Sequence, residues 1–183
     1  MSGLLGKKIG MTQVFDENGN VFGVTVMEIG PCSVTRVKTV KSDGYNAVQL
    51  GFGKKKREIR VDKPEEFQVG QELKVDLFKP GDRVRVSGLT IGKGFAGRIK
   101  RYHQHRGPMS HGSKCHRLMG SIGSGTTPGR VWKGKQMPGR MGGKMATNNG
   151  ISVVQVDPGK NLLMVYGSVP GKKGNFVLVR RAN

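Results

Sequence analysis

Residues 93–150 read KGFAGRIKRYHQHRGPMSHGSKCHRLMGSIGSGTTPGRVWKGKQMPGRMGGKMATNNG. This stretch holds twelve Lys or Arg, all four His and thirteen of the thirty Gly, but no Asp or Glu. Its apolar residues follow neither a helical nor a two-residue period, so it cannot bury enough surface to offset its own ordering entropy. We therefore predict that an anionic partner orders this segment, which we call the basic arm.

The positive charge of the whole chain is concentrated around the basic arm. The 183 residues carry 32 Lys or Arg and 12 Asp or Glu, for a formal net charge of +20. Residues 1–82 contain 13 basic and 11 acidic side chains, residues 83–156 contain 14 and none, and residues 157–183 contain five and one. A cationic segment on a near-neutral body is typical of nucleic-acid-binding proteins.

Strand patterns separated by turn signals flank the basic arm on both sides. Asn18-Gly19 is a strong hairpin signal, and Asp43-Gly44 and Pro158-Gly159 mark further turns. Strands are predicted in the β-rich or alternating runs at residues 4–15, 21–28, 33–40, 45–52, 73–77, 84–86, 151–156, 162–166 and 176–179. With no convincing helical period, the sequence predicts an all-β fold with a closed or sandwiched β domain.

The same pattern predicts the domain organisation. We expect residues 1–92 and 151–183 to form one β domain, split in sequence, with the basic arm at residues 93–150 as an insertion. The first residues lack the apolar segment of a signal peptide, and no run approaches the roughly twenty apolar residues of a membrane span. Two cysteines set no disulfide framework. We expect a cytoplasmic or cytosol-like location and no membrane partner.

Motifs that suggest an enzyme are weak. Residues 92–97 match G-x-G-x-x-G, but a dinucleotide site needs an acidic residue about twenty positions on, and residues 83–156 contain none. His111, Cys115 and His116 lack the paired spacing of a zinc site. A Ser or Cys115 nucleophile would have no acid in the arm to orient its histidine. We predict no catalytic residue, no cofactor, no metal and no small-molecule substrate.

Basic, histidine and aromatic side chains are the candidate RNA contacts. Lys and Arg neutralise phosphate, while His and aromatic rings stack on bases or hydrogen-bond to RNA. The run from Lys54 to Arg57 is interpreted instead as a solvated loop. The predicted contacts are Lys7, Lys8, Lys93, Arg98, Lys100, Arg101, His103, His105, Arg106, His111, Lys114, His116, Arg117, Arg130, Trp132, Lys133, Lys135, Arg140 and Lys144. A solvated disordered tail is the alternative, although a tail would more naturally lie at a terminus.

Several motifs resemble the universal large-subunit ribosomal protein three family in its bacterial form. The resemblance covers nearly the whole chain. It implies a closed Greek-key-type barrel of the elongation-factor/reductase kind with a long irregular basic arm. The matching stretches are Gly3 to Thr12, Asp43-Gly44-Tyr45, Gly92 to Gly97, Gly120 to Gly123, Thr127-Pro128-Gly129 and Asn161 to Gly171.

The resemblance also implies a function. Such proteins are structural, non-enzymatic constituents of the large ribosomal subunit, or of an organellar ribosome of bacterial type. They bind 23S-type rRNA near its 3′ end early in assembly and neighbour ribosomal proteins fourteen and nineteen. Their arm runs towards the peptidyl transferase centre, which would place Ser124, Gly125, Thr126 and Thr127 at its tip. A free-standing RNA-binding regulator or assembly chaperone is the alternative, and an enzyme comes third.

Two positions depart from the family pattern. Family members usually carry a longer, partly helical excursion after the strand near Phe52, whereas here Lys56 and Arg57 nearly abut the stretch from Glu58 to Asp62. Some bacterial relatives have a methylated glutamine near the arm tip. Thr126 occupies the matching position here, so that modification is not available to this chain.

Overall fold

The structure, a computed structural model, describes residues 3–182. These residues divide into two compact units. We call residues 3–90 with 144–182 the β unit and residues 91–143 the basic unit.

Strands dominate the described residues, which confirms the all-β class. In chain order the elements are β1 (Gly3–Phe15), β2 (Val21–Ile29), β3 (Cys32–Lys38), α1 (Val40–Asp43), β4 (Ala47–Phe52), β5 (Lys55–Arg60), β6 (Glu72–Leu73), β7 (Arg83–Leu89), β8 (Phe95–Ala96), α2 (Arg98–Tyr102), β9 (Gly139–Arg140), β10 (Met145–Asp157), β11 (Leu162–Tyr166) and β12 (Phe176–Arg181). Single 3₁₀ turns lie at Pro64–Glu66 and Val75–Leu77.

Six strands of the β unit close on themselves. Going round the ring, β1 is followed by β12, β7, β10, β11 and β2, which pairs again with β1 to form a closed barrel. All six pairings are antiparallel. Closure gives every strand of the ring two neighbours and so removes the free edges of an open sheet over the paired residues.

The other sheet of the β unit has four strands in the order β5, β4, β3 and β6. Phe52 pairs with Lys55, so β4 and β5 are joined by a two-residue hairpin loop at Gly53 and Lys54. The connection before Glu58, which departs from the family pattern in sequence, is a tight turn in this structure. Gly53 adopts a positive φ of 54°, which the turn requires and which glycine tolerates without steric cost.

The hydrophobic core lies in the β unit and follows from strand alternation. One group of fully buried side chains points into the ring, including Leu4, Val86 and Leu163. A second group comes from the four-stranded sheet and includes Val48 and Leu50. Both groups belong to one contiguous cluster. Each buried side chain of this size contributes about 1.5–3 kcal/mol relative to an exposed one.

Close backbone packing between β1 and β2 depends on a glycine. A Cβ atom added at Gly6 would lie 2.3 Å from the carbonyl oxygen of Glu28 and 2.5 Å from Cδ1 of Ile29. The same two strands are joined by the predicted Asn18-Gly19 turn, in which the Asp16 N–H donates to the Asn20 carbonyl at 3.0 Å.

Four local predictions were wrong. The strand predicted at residues 33–40 ends at Lys38 and gives way to α1, and the strand predicted at 73–77 is only β6 followed by a 3₁₀ turn. The helix α2 was not predicted at all. Finally, β10 begins at Met145 rather than at residue 151, because residues 145–148 pair with residues 86–89 of β7. Residues 145–150, placed in the basic arm by sequence, therefore belong to the barrel strand.

Candidate nucleic-acid interface

The basic unit is closed at its base by a short antiparallel ladder. β8 pairs with β9, joining residues 95–96 to residues 139–140. The Lys93 N–H donates to the Met141 carbonyl and the Met141 N–H donates to the Gly94 carbonyl, both at 2.9 Å. These bonds hold the two ends of the unit together, so the chain between them forms a long closed loop.

Two arginines of α2 tie distant parts of this loop together. The Arg98 guanidinium donates to the Met119 carbonyl, and Arg101 Nη1 donates to the Met137 carbonyl at 2.7 Å. Both side chains are half-buried, and the Arg101 guanidinium lies 5.1 Å from the centre of the Tyr102 ring. Part of their donor capacity is therefore used within the protein. Sequence reasoning treated them as phosphate contacts like any other cation.

The remaining Lys and Arg side chains of the basic unit are exposed, and the sequence around them contains no acidic residue. Residues 83–156 contain no Asp or Glu, so no carboxylate of this stretch offsets the mutual repulsion of its cations. An external polyanion is the partner that relieves this repulsion. The exposed cations are Lys93, Lys100, Arg106, Lys114, Arg117, Arg130, Lys133, Lys135 and Arg140, and the predicted contact Lys144 is likewise exposed, just before β10 in the β unit.

Exposed aromatic side chains accompany these cations. Trp132 was predicted as a contact and is exposed. Phe95, which sequence reasoning missed, is 78% exposed beside the basic unit's ladder. The sequence signal for Phe95 was its position as an aromatic residue between Gly94 and Gly97 at the start of a basic segment. Exposed rings beside cations are suited to stacking on unpaired bases.

Three of the four histidines have backbone in the left-handed region. His103, at the end of α2, has φ 56°, His111 has φ 56° and His116 has φ 30°. Non-glycine residues are uncommon there, and such positions cluster at ligand-binding sites. His105 is exposed.

Two side-chain nitrogen atoms of the basic unit are buried without a hydrogen-bond partner. Within the described residues, Arg98 Nε and His116 Nδ1 have no hydrogen-bond partner. Asn161 Oδ1 of the β unit is likewise without a partner, so this deficit does not distinguish the two units.

The predicted tip is a small polar turn. Ser124 Oγ donates to the Thr127 carbonyl at 2.7 Å, and all four residues from Ser124 to Thr127 are exposed. Their side chains are short and uncharged, so this turn presents shape and hydrogen-bonding groups rather than charge.

The two adjacent lysines in β1 differ in exposure. Lys7 is exposed, but Lys8 is 8% exposed, and its ammonium donates to the carbonyls of Val169 at 2.8 Å and Gly171 at 3.2 Å. Burial lowers the pKa of Lys8 below its ordinary value. The prediction that Lys8 contacts RNA is therefore corrected: neighbouring strand residues face opposite sides, and this one faces inward.

The β unit, in contrast, pairs several of its cations internally. Within the described residues every ion pair lies there, including Lys38 with Glu58 and Arg181 with Asp82, each at 2.9 Å. Hydrogen bonds from Lys38 and Tyr45 lower the pKa of Glu58. The β unit still carries 21 basic and 12 acidic side chains, so it too is cationic, whereas the basic unit carries 11 basic side chains and no acidic one.

A basic surface of the β unit escaped sequence reasoning. The run interpreted as a solvated loop lies mostly in β5, where Lys55 and Arg57 line a groove of about 420 Å³ with Phe176 and Leu89. Lys55 Nζ lies 5.8 Å from the centre of the Phe176 ring. The groove lining contains no carboxylate. The signal was the charge run itself, but only the packing of the two sheets of the β unit brings Phe176 of β12 beside it.

Two further findings concern other kinds of site. Residues 3–182 contain no group of three or more His, Cys, Asp or Glu side chains arranged to hold a metal ion. Across the same residues, no helix has the length and apolar character needed to cross a membrane.

Known proteins match this chain along nearly its whole length. The family model described as Ribosomal protein L3 matches residues 47–161. The chain is 50% identical to the large ribosomal subunit protein uL3 of Pelotomaculum thermopropionicum, covering 98% of this chain and 96% of the relative. It is 48% identical to a uL3 of a Synechococcus species, with 98% and 95% covered. Identity to the uL3c protein of Phaeodactylum tricornutum is 46%, with 97% of each chain covered.

Proposed function

The chain belongs to the ribosomal protein L3 family, and from this premise we propose that its basic unit is the principal rRNA-binding element of the protein. It is a structural, non-enzymatic protein of the large ribosomal subunit and works within the ribosome. Its partners are rRNA and other large-subunit proteins.

One observation carries the proposal. The basic unit presents nine exposed cations without a single carboxylate, while the β unit pairs several of its own cations with acids. Counterion release on binding phosphate favours association in proportion to the number of cations engaged. Exposed Trp132 and Phe95 add surfaces on which unpaired bases can stack.

The finer assignments are proposals that follow the family resemblance. The protein binds 23S-type rRNA near its 3′ end and helps to nucleate subunit assembly, with ribosomal proteins fourteen and nineteen as neighbours. The turn from Ser124 to Thr127 lies near the peptidyl transferase centre and supports rRNA by shape. The barrel is of the Greek-key type shared by elongation factors and reductases. Residues 91–143 act as the arm inserted in this β domain, and Lys7, Lys144 and the histidines add further rRNA contacts.

The salt dependence of rRNA binding tests the proposal. Lys133 is exposed in the basic unit, so Lys133→Ala should reduce the slope of log K against log salt by about 0.7–0.9, the effect of one lost phosphate contact. Arg101 already donates to a backbone carbonyl, so Arg101→Ala should weaken binding without changing the slope. Lys74→Ala, an exposed lysine of the β unit, is the matched control and should change neither quantity.

The opposite pattern would argue against this assignment. If Lys74→Ala lowers the slope and Lys133→Ala does not, the β unit supplies the phosphate contacts. A regulator or assembly chaperone would leave the large subunit in a high-salt wash. A structural component should sediment with the subunit through the same wash.

A further inference from the structure

The hairpin formed by β1 and β2 differs in charge from the rest of this cationic chain. Residues 9–29 contain three acidic side chains, Asp16, Glu17 and Glu28, and no Lys or Arg. Asp16 and Glu17 are exposed at the turn. A surface with this charge repels phosphate, so it is unsuited to rRNA although the protein is an rRNA-binding one.

One face of the hairpin exposes large apolar side chains. Register places Phe15 opposite Val21 on one face, where both are exposed, and Met11, four residues before Phe15 on the same face of β1, is also exposed. On the other face Val14 lies opposite Phe22; both are half-buried, and the Phe22 ring packs edge-on against Tyr166 at 6.1 Å. Exposed apolar clusters of this kind mark protein interaction surfaces, because solvent contact with them is unfavourable.

The hairpin also has a free backbone edge. β1 pairs with β12 only through residues 3–7, whereas its pairing with β2 continues to Phe15. Within the described residues, the stretch from Ile9 to Phe15 therefore has a strand on one side only. Unpaired strand edges bind extended segments of other chains by adding a strand.

We propose that the free edge and the exposed apolar face of this hairpin form the docking surface for a basic protein neighbour within the large subunit. The neighbour would add a strand along residues 9–15, fill the apolar surface around Phe15 and place cations beside Asp16 and Glu17. A second copy of this chain fits poorly, because pairing two hairpins would bring together two surfaces of net charge −3. The inference rests on the proposed function, since it assumes a place in the subunit.

Site-specific photo-crosslinking in assembled subunits tests the inference. Phe15 and Phe95 are matched positions because both are exposed phenylalanines. Phe15 is 63% exposed and ends β1, and Phe95 is 78% exposed and lies in the two-residue strand β8. Each is replaced in turn by photoreactive benzoylphenylalanine in the full chain. The Phe95 probe should crosslink to rRNA. The Phe15 probe should crosslink to one basic large-subunit protein, identified by mass spectrometry.

Charge reversal supplies the second measurement. Asp16→Lys with Glu17→Lys, added to the Phe15 probe, should lower the yield of its protein crosslink roughly tenfold by placing like charges against the neighbour. Glu65→Lys with Glu66→Lys makes the same change in charge at an exposed 3₁₀ turn and should leave the yield unchanged. All four positions are exposed, so neither variant removes a core contact.

The possible failures are distinguishable. If the Phe95 probe misses rRNA or the chain does not enter the subunit, the proposed function is wrong. If the Phe95 probe reaches rRNA while the Phe15 probe crosslinks to rRNA, to a second copy or to nothing, only the docking inference is overturned. Equal loss of crosslink yield in both charge-reversal variants would also overturn it.

Discussion

The β unit and the basic unit are made by the same chain but held together in different ways. Every member of the core cluster lies in the β unit, and six of its strands close into a ring. In the basic unit, Ala96 is the one buried apolar residue among those described, and regular structure is limited to a two-residue ladder and a five-residue helix. The β unit can fold on its own burial, whereas the basic unit depends on backbone bonds and arginine tethers.

This difference shows which interactions offset the conformational entropy that each unit loses when it becomes ordered. Burial of side chains offsets the conformational entropy of the β unit. Residues 91–143 have little to bury and carry like charges, so an external anion must supply that contribution. The contrast leads to four expectations for the free protein.

Hydrogen exchange should show the largest contrast. In the free protein, amides of the ring strands should exchange only through global unfolding, whose free energy is typically about 5–15 kcal/mol. Amides of residues 98–135 should exchange almost as fast as those of an unfolded chain. The boundary should fall near Lys144, because residues 145–148 pair with β7. Adding an rRNA fragment should then slow exchange in the basic unit.

Slow exchange across residues 98–135 without RNA would mean that the basic unit carries its own fold. A boundary at residue 151 instead of 144 would mean that the start of β10 is ordered only on binding. Mass spectrometry of exchanged peptides resolves both cases.

A pair of leucine substitutions gives the second contrast. Leu163 is fully buried in the ring and Leu118 is 74% exposed in the basic unit. Leu163→Ala should lower the free energy of unfolding by about 2–5 kcal/mol, through lost burial and a residual cavity. Leu118→Ala should change it by no more than about 0.5 kcal/mol. Urea denaturation of both variants measures this, and similar losses would contradict the division into two kinds of unit.

Adjacent lysines in β1 give the smallest contrast. Lys8→Met leaves the carbonyls of Val169 and Gly171 without their donor, so it should lower the free energy of unfolding by about 1–3 kcal/mol. Lys7→Met changes an exposed position and should lower the free energy of unfolding by less than about 0.5 kcal/mol.

The pH dependence of Lys8 has a definite sign. Its pKa is lowered in the folded protein, so the unfolded chain binds the proton more tightly. The free energy of unfolding should therefore rise as pH increases from the lowered pKa towards the ordinary value of 10.5, relative to Lys8→Met. A difference between wild type and Lys8→Met that stays constant or falls over this alkaline window would contradict the assignment.

Much of the β unit could be predicted from local signals. The Asn18-Gly19 turn joins two observed strands, and the run at residues 162–166 is β11. Failures occurred where pairing overrides pattern. Residues 145–150 read as polar arm sequence, yet β7 supplies partners for the backbone of residues 145–148, and backbone pairing does not require alternation of side chains.

The candidate interface was predictable as a composition but not as an arrangement. The absence of acids from residues 83–156 is a property of the sequence alone. The hydrogen bonds that Arg98 and Arg101 donate within the protein could not be predicted from sequence, because only the fold brings the carbonyls of Met119 and Met137 near them.

Sequence by itself determined the charge, the segment that cannot form a core and the turns that separate strands, because each depends on residues close together in the chain. Tertiary structure decided which of two identical neighbours, Lys7 and Lys8, meets solvent and which is buried. Strand alternation requires that they face opposite sides, but the choice of side is made only when β1 closes the ring between β12 and β2. The same closure ends at Lys7 on the β12 side and leaves the edge from Ile9 to Phe15 open, which no local pattern could reveal.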